Sequence, residues 1–273
     1  MKKNLTIIIL VIVVLISFFI IYKDWKSKHE PKQGEIEQVT KREDLVMADS
    51  FQTKVSNPKD AYVKFDVKYP YFKNADASFN AGIEKLVTDS MADHSQTSKE
   101  NWQARYDTQV KGENIPKVPA KDDDKFSFFS DFTIEQSNSN YISFVLKDGG
   151  FSGGAHEYEN ITSFNYDVKN KKVIKLSDIF PNDPQYLIHL GTQSRDILTK
   201  RFITDNKDEN SGTPEAIKEY TDNITGMLNT GTEPTEENFS IFTFTPDKVK
   251  IYFAEYQVGP YVFGIPEVEI SRK

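Results

Sequence analysis

The sequence predicts an α+β fold, a mainly antiparallel sheet with packed helices, preceded by one N-terminal transmembrane helix. Three observations predict it. Leu5–Tyr22 is an uncharged apolar run in which only Thr6 and Ser17 are polar. Beyond Asp60, stretches that alternate apolar and polar residues are separated by turn-rich tetrapeptides, the pattern of strands joined in hairpins. Between and after these strands lie segments with apolar residues every three or four positions, the spacing of amphipathic helices. The order strand, helix, strands, helices, strands separates the chain from an alternating parallel fold.

The elements follow in order. Eighteen helical residues over 5–22 span about 27 Å, close to the hydrocarbon thickness of a bilayer. Lys2 and Lys3 precede the run, Tyr22 and Trp25 stand where interfacial aromatics are expected, and no small-residue cleavage site follows. The expectation is an uncleaved anchor with Met1–Asn4 inside, although Lys23, Lys26 and Lys28 beyond the run weaken the orientation read from positive charge. Residues 23–60 are polar and mixed in charge, as in a juxtamembrane linker, with room for a short strand near Leu45–Val55.

Ala61–Tyr69 alternates as a half-buried strand and Pro70 ends it. Ala75–Asn101 carries Phe79, Ile83, Leu86, Val87 and Met91 at helical spacing, with Asn74 or Asp76 as cap. Gln109–Asp124, with Gly112, Pro116, Pro119 and three consecutive aspartates, reads as a loop. Phe126–Gln136 and Tyr141–Lys147 flank a Ser-Asn-Ser-Asn turn. Glu159–Val168 leads through Lys-Asn-Lys-Lys to Val173–Leu176. A helix runs from Asp183 or Pro184 to about Phe202, and Thr213-Pro-Glu caps another over Pro214–Leu228. Phe239–Phe244 and Val249–Phe253 flank Thr-Pro-Asp-Lys, and Tyr261–Ile270 forms a last strand that Pro266 marks as an edge. The domains expected are a tail (1–4), anchor (5–22), linker (23–60), N-terminal α/β module (61–124) and C-terminal α+β module (125–273).

Composition excludes several functions. The chain of 273 residues holds no cysteine, which removes disulfides, thiol nucleophiles and thiolate metal sites. Its 41 acidic against 34 basic residues give a net charge of −7. Nucleic-acid binding needs a basic patch and is not expected; a cationic protein partner is electrostatically favoured.

Few constellations carry chemistry. Asp148–His156 has four glycines in nine residues. It reads either as a tight β-connection or as a loop that cradles a ligand or enters a partner's cleft. His156 is followed by Glu157 and Glu159, yet no two histidines have metal-ligand spacing, so no metal and no cofactor is expected. Asp122-Asp123-Asp124 lacks the spacing of a calcium loop and reads as solvated. Ser152 stands four residues before His156 outside any nucleophile-elbow pattern, so no catalytic residue is assigned. Gly259–Gly264 reads either as a packed strand entry with Phe263 inside or as a rigid apolar tip with Tyr261 exposed. The candidate binding residues are Phe151, Ser152, Gly153, His156, Pro260 and Tyr261.

Two segments carry a family likeness. One is Gly153-Gly154-Ala155-His156 with Ser163–Asp167 and Lys175–Phe180; the other is Glu255–Gly264 leading into Pro266-Glu267-Val268. Together they resemble the extracytoplasmic region shared by the RsiV anti-sigma factors and the PdaC peptidoglycan deacetylase, over Ala61 to the C-terminus. Only Met1–Asn4 precede the apolar run and the chain stops at Lys273, so neither a sigma-binding segment nor a deacetylase domain is expected. The resemblance implies a domain outside a single-pass cell membrane that binds a lysozyme-like protein or a peptidoglycan fragment. An envelope scaffold, and a peptidoglycan-modifying hydrolase acting through Ser152, His156 and Glu157, stand as rivals.

Overall fold

The computed structural model describes residues 45–109, 113–205 and 213–272; the predicted tail, the anchor over 5–22 and the linker up to residue 44 lie outside them. Among the described residues no helix is long and apolar enough to cross a membrane.

A six-stranded sheet is built from β1 (Phe51–Val55), β2 (Val63–Phe72), β3 (Phe126–Ser137), β4 (Tyr141–Phe151), β5 (Tyr158–Asp167) and β6 (Lys172–Val173), in that order. All its pairs are antiparallel except β2 with β3. A parallel pair needs a crossover, and α1 (Ala77–Asp107) supplies it. The mainly antiparallel expectation thus becomes a mixed sheet with one parallel pair. Strand pairing continues across Asp124, and β1 lies where a short strand was expected within Leu45–Val55.

Helix α1 starts where the Asp76 side chain accepts the Phe79 amide at 2.9 Å. Its buried residues, Asn80, Ile83, Val87, Met91, His94, Ser98 and Trp102, recur every three or four positions and form one stripe against the sheet. Val63, Phe65, Val67, Phe72, Phe128, Ile142, Phe144 and Leu146 meet that stripe from the strands. The helix runs past the expected end at Asn101 because Trp102 extends the stripe, its indole donating to the Pro116 carbonyl at 3.0 Å.

Pro70 does not end β2. Pairing with β3 stops at Val67, so beyond it β2 has only β1 beside it, and Pro70 faces Thr53 there with no donor required on its open side.

The second layer holds α2 (Tyr186–Thr199), which continues as a π-helical turn over Lys200–Thr204, α3 (Pro214–Gly231), and a three-stranded antiparallel sheet of β7 (Phe242–Phe244), β8 (Lys248–Tyr252) and β9 (Glu267–Ser271). Leu190, Leu198, Phe202, Ile224 and Leu228 of the helical segments pack on Phe242, Val249, Ile251, Val268 and Ile270. Phe239 is fully buried in that core but precedes the strand expected to include it. Strand β9 is at the sheet edge, as Pro266 foretold, but Tyr261–Phe263 forms a 3-10 turn instead of the strand expected there.

The two layers share a polar seam. Ser143 Oγ donates to Asn165 Oδ1 at 2.7 Å, Asn165 Nδ2 donates to the Phe242 carbonyl at 2.7 Å, and the amides of Phe242 and Phe244 donate to Ser163 and Ser143 at 3.1 and 2.8 Å. Side chains of β4 and β5 thereby satisfy the buried backbone of β7. Beside the seam, Val145, Ile161 and Tyr252 form a small apolar cluster.

Candidate functional site

The glycine-rich segment divides. Gly149 and Gly150 are not loop residues, as the sequence had suggested; they are buried near the end of β4 between β3 and β5. A Cβ on Gly149 would overlap the Tyr158 carbonyl, and one on Gly150 the Ser127 carbonyl; Gly150 also has φ 151°. These glycines admit close backbone approach. Only Ser152–Glu157 forms the exposed connection to β5.

The structure brings His156 and Tyr261 together. Their ring centroids are 4.1 Å apart, and Tyr256 lies 6.5 Å from His156 and 6.0 Å from Tyr261. His156 Nδ1 donates to the Glu157 carbonyl oxygen at 2.6 Å, and its Nε2 lies 3.2 Å from the Tyr256 hydroxyl. Tyr261 donates to the same Glu157 carbonyl at 2.9 Å. Tyr256 holds its place with φ 65°, a left-handed conformation uncommon outside glycine.

Local sequence fixes the Tyr261 turn. Pro260 precedes the 3-10 turn and accepts the Phe263 amide at 2.9 Å. Phe263 stacks on Phe202 with centroids 4.0 Å apart, and its ring would collide with any side chain at 259. Neither expectation holds as stated, since the segment is a 3-10 turn rather than a strand and Tyr261 is not fully exposed. Phe263 is the half-buried anchor, and Tyr261 is half-buried beside Val262, the residue that projects furthest with 81% exposure.

Of this cluster, Tyr261 lines a cleft of about 450 Å³, whose walls also include Phe129, Tyr158, Glu157, Glu159 and Glu255. Among the described residues no lysine or arginine lines it, but Lys147 reaches the Glu159 carboxylate at 2.8 Å. Burial, then Glu255 and Glu157, raise the Tyr261 hydroxyl above the usual phenol range.

The remaining predicted residues face elsewhere. Phe151 packs edge-on against Phe126 at 5.7 Å, Gly153 takes φ 97° beside Phe126, and the Ser152 carbonyl accepts Asn101 Nδ2 at 2.7 Å. No hydrogen bond joins Ser152 to His156 among the described residues, and both His156 nitrogens are engaged.

Ser152 instead lines a second cavity of about 230 Å³ on the α1 side, with Asp93, His94, Asp148, Tyr158 and Asn160. Asp148 is 5% exposed; burial raises its carboxyl against the opposing hydrogen bonds of Asn160 and Ser90. His94 Nδ1 lies 2.8 Å from the Tyr158 hydroxyl, and burial lowers its pKa while the carbonyls of Ser127 and Phe151 oppose that shift. Burial and the charges of Asp148 and Asp93 push Tyr158 up to about 12. Sequence reading passed over His94, Asp148, Tyr158 and Tyr256. For His94 the usable signal was a histidine on the apolar stripe of a helix, and for Asp148 a carboxylate abutting two strand glycines.

Among the described residues no group of three or more histidines and carboxylates is arranged to hold a metal ion. The Asp122–Asp124 turn is exposed, with Lys125 2.7 Å from Asp122.

Known proteins resemble this architecture. Residues 56–158 match the family described as Deacetylase PdaC, and residues 177–273 match the family described as Protein of unknown function (DUF3298). These matches liken the first part of the α+β fold to PdaC-type sequences and the last part to DUF3298 sequences. The particular relative is the peptidoglycan-N-acetylmuramic acid deacetylase PdaC of Bacillus subtilis (strain 168), 24% identical over 210 residues, which are 76% of this chain. The chain spans 37% of the length of that protein. A crystal structure of a DUF3298 family member from Bacteroides fragilis superposes with a TM-score of 0.50 at 18% identity, over 81% of this chain and 89% of that one. A second, from Pseudomonas aeruginosa, gives 0.46 at 13% identity over 83% and 90%.

Proposed function

We propose that this chain is a membrane-anchored extracytoplasmic binding module, held by residues 5–22, whose ligand is a lysozyme-like protein or a peptidoglycan fragment. The observation that carries the reading is the cluster of His156, Tyr256 and Tyr261 beside a cleft lined by Glu157, Glu255 and Glu159, the last of them paired with Lys147 at 2.8 Å. Tyrosines give large contact area for little lost side-chain entropy, and a rim of carboxylates speeds encounter with a cationic partner. The likeness to a protein named as a peptidoglycan deacetylase supports a role at the wall. It lends less to the hydrolase rival acting through Ser152 and His156, because among the described residues no hydrogen bond joins the two and His156 is held by Glu157 and Tyr256.

The test is titration calorimetry of the full chain in detergent micelles with a c-type lysozyme and, separately, with muropeptides, at two salt concentrations. Saturable lysozyme binding that weakens at the higher salt is the expected result. Tyr261→Ala should weaken it about tenfold or more, chiefly through faster dissociation. Binding of muropeptides alone would assign the glycan as ligand. Absence of both, or indifference to Tyr261→Ala, would remove the reading.

A further inference from the structure

Where α1 meets the ends of β4 and β5, the layer between helix and sheet changes from apolar to polar. Side chains alternate along a strand, so Ile142, Phe144, Leu146 and Asp148 of β4 share one face. The first three are buried in the core under α1, and Asp148 continues their row at 5% exposure. A carboxylate thus holds a position that an apolar side chain would fill. The facing residues of α1 are polar as well. Ser90, Asp93 and Thr97 recur at helical spacing and, with Asp148, Tyr158 and Asn160, line the cavity of about 230 Å³ on that side.

The charge of Asp148 is not balanced within this cavity. Asn160 and Ser90 give it hydrogen bonds, but neither carries a charge. Among the described residues the lining adds a second carboxylate, that of Asp93, and no lysine or arginine. A buried carboxylate without a counter-ion opposes folding at neutral pH. Such a group persists where it serves a site rather than the fold. Asp148 lines the cavity, so a cation that enters can reach it.

The walls select the chemistry of that cation. Apart from His94, every side chain or backbone group that lines the cavity presents oxygen: two carboxylates, the hydroxyls of serine, threonine and tyrosine, and the Asn160 amide. His94 Nδ1 lies 2.8 Å from the Tyr158 hydroxyl and fixes that wall. Among the described residues no group of three or more histidines and carboxylates is arranged to hold a metal ion, which leaves an organic cation. A primary ammonium is compact and has three N–H donors and no acceptor, so one carboxylate and two neutral oxygens satisfy it. The volume lies below the roughly 300–1,000 Å³ of pockets that enclose a whole ligand. It suits the ammonium end of a molecule whose remainder stays outside.

We propose that this cavity binds a primary ammonium group, carried by a sugar or by an alkyl chain, with Asp148 as its counter-ion. The site lies on the α1 side and does not rest on the role proposed for the His156 and Tyr261 face.

The experiment is calorimetry and thermal unfolding of the full chain in detergent micelles and amine-free buffer, with methylammonium as the probe. Tetramethylammonium, which has the charge but no N–H donor, is the control. Methylammonium should saturate one site and raise the melting temperature, and tetramethylammonium should do neither. Glucosamine and Nα-acetyllysine then separate the sources. Tighter binding of the first assigns an amino sugar, of the second an alkyl amine, and equal binding the ammonium group alone. Asp148→Asn keeps the shape and should weaken binding at least about tenfold. Its melting temperature gives a second readout, because methylammonium should raise the parent's and leave the variant's where it was. Asp93→Asn, at an exposed position, should weaken binding less, and Tyr261→Ala should leave it unchanged. The proposal is overturned if methylammonium does not saturate or if Asp148→Asn binds it as the parent does. It is overturned too if tetramethylammonium binds equally, since that would show only a general attraction of cations to an acidic chain.

Discussion

At Asp148 a carboxylate is buried in β4 with Asn160 and Ser90 as its donors, and among the described residues no lysine or arginine lines its cavity. Burial without a cation favours the protonated form. Its folded pKa therefore lies above the unfolded value, so the folded state holds the proton to higher pH. The stability that follows is complete below the ordinary aspartate range and is lost as pH rises through the folded pKa. Asp148→Asn keeps the shape and removes the charge. Its melting temperature should exceed the parent's at neutral pH, and the difference should close under acid; calorimetric melts across pH check this. A lower melting temperature at neutral pH would mean that the carboxylate has a cation partner in solution.

Asp76 shows the opposite sign. The Tyr166 hydroxyl, the Phe79 amide and the Ser78 hydroxyl all donate to it, and its pKa falls to about 2. Stability from this group is present above the unfolded value of 3.8 and is lost as pH falls toward 2. Asp76→Ala should lower the melting temperature at pH 7, and the deficit should vanish near the folded pKa. A deficit that persists there would place its origin in packing. The same change should bring the Tyr166 hydroxyl, now pushed up to about 12, back toward the ordinary phenol range, since Asp76 is one of its causes after burial.

At the scale of elements, β4 is the strand on which the site depends. It pairs along its length with β3 and β5, and its last residues carry Asp148, Gly149 and Gly150 into the region below the exposed connection. Gly150→Ala would add a Cβ at φ 151° against the Ser127 carbonyl. A strained backbone of this kind costs about 1–3 kcal/mol before the overlap is counted, so the loss in urea unfolding should reach at least the upper part of that range. An effect below about 0.5 kcal/mol would show that the strand end relaxes freely.

For the molecule as a whole, the two layers are joined by polar side chains beside a small apolar cluster. Asn165 receives the Ser143 hydroxyl and donates to β7, and both residues are buried. Asn165→Ala leaves the Ser143 hydroxyl and the Phe242 carbonyl without these partners. It should cost about 2–4 kcal/mol and, if the seam couples the layers, should split one unfolding transition into two. Denaturant melts followed by tryptophan fluorescence in parallel with far-UV circular dichroism distinguish the outcomes, because Trp102 reports on the α1 layer.

Periodicity made most elements legible. The α1 stripe, the Asp76 and Thr213 caps, the hairpin turns and the edge position of β9 all follow from local spacing, because helix and strand bury one face and caps satisfy orphan amides within a few residues. His156 and Tyr261 were singled out from glycine- and aromatic-rich segments far apart in the chain, and the fold sets them in ring contact. Only tertiary structure decided the rest. The parallel β2–β3 pair depends on where α1 crosses, and the strand character of Gly149 and Gly150 on how closely two neighbouring backbones approach. The cavity of His94, Asp148 and Tyr158 joins residues from different elements. The physical reason is range: hydrogen bonds and burial within one turn or one strand are written in adjacent residues, whereas a cavity is a difference between surfaces that meet only after the chain has folded.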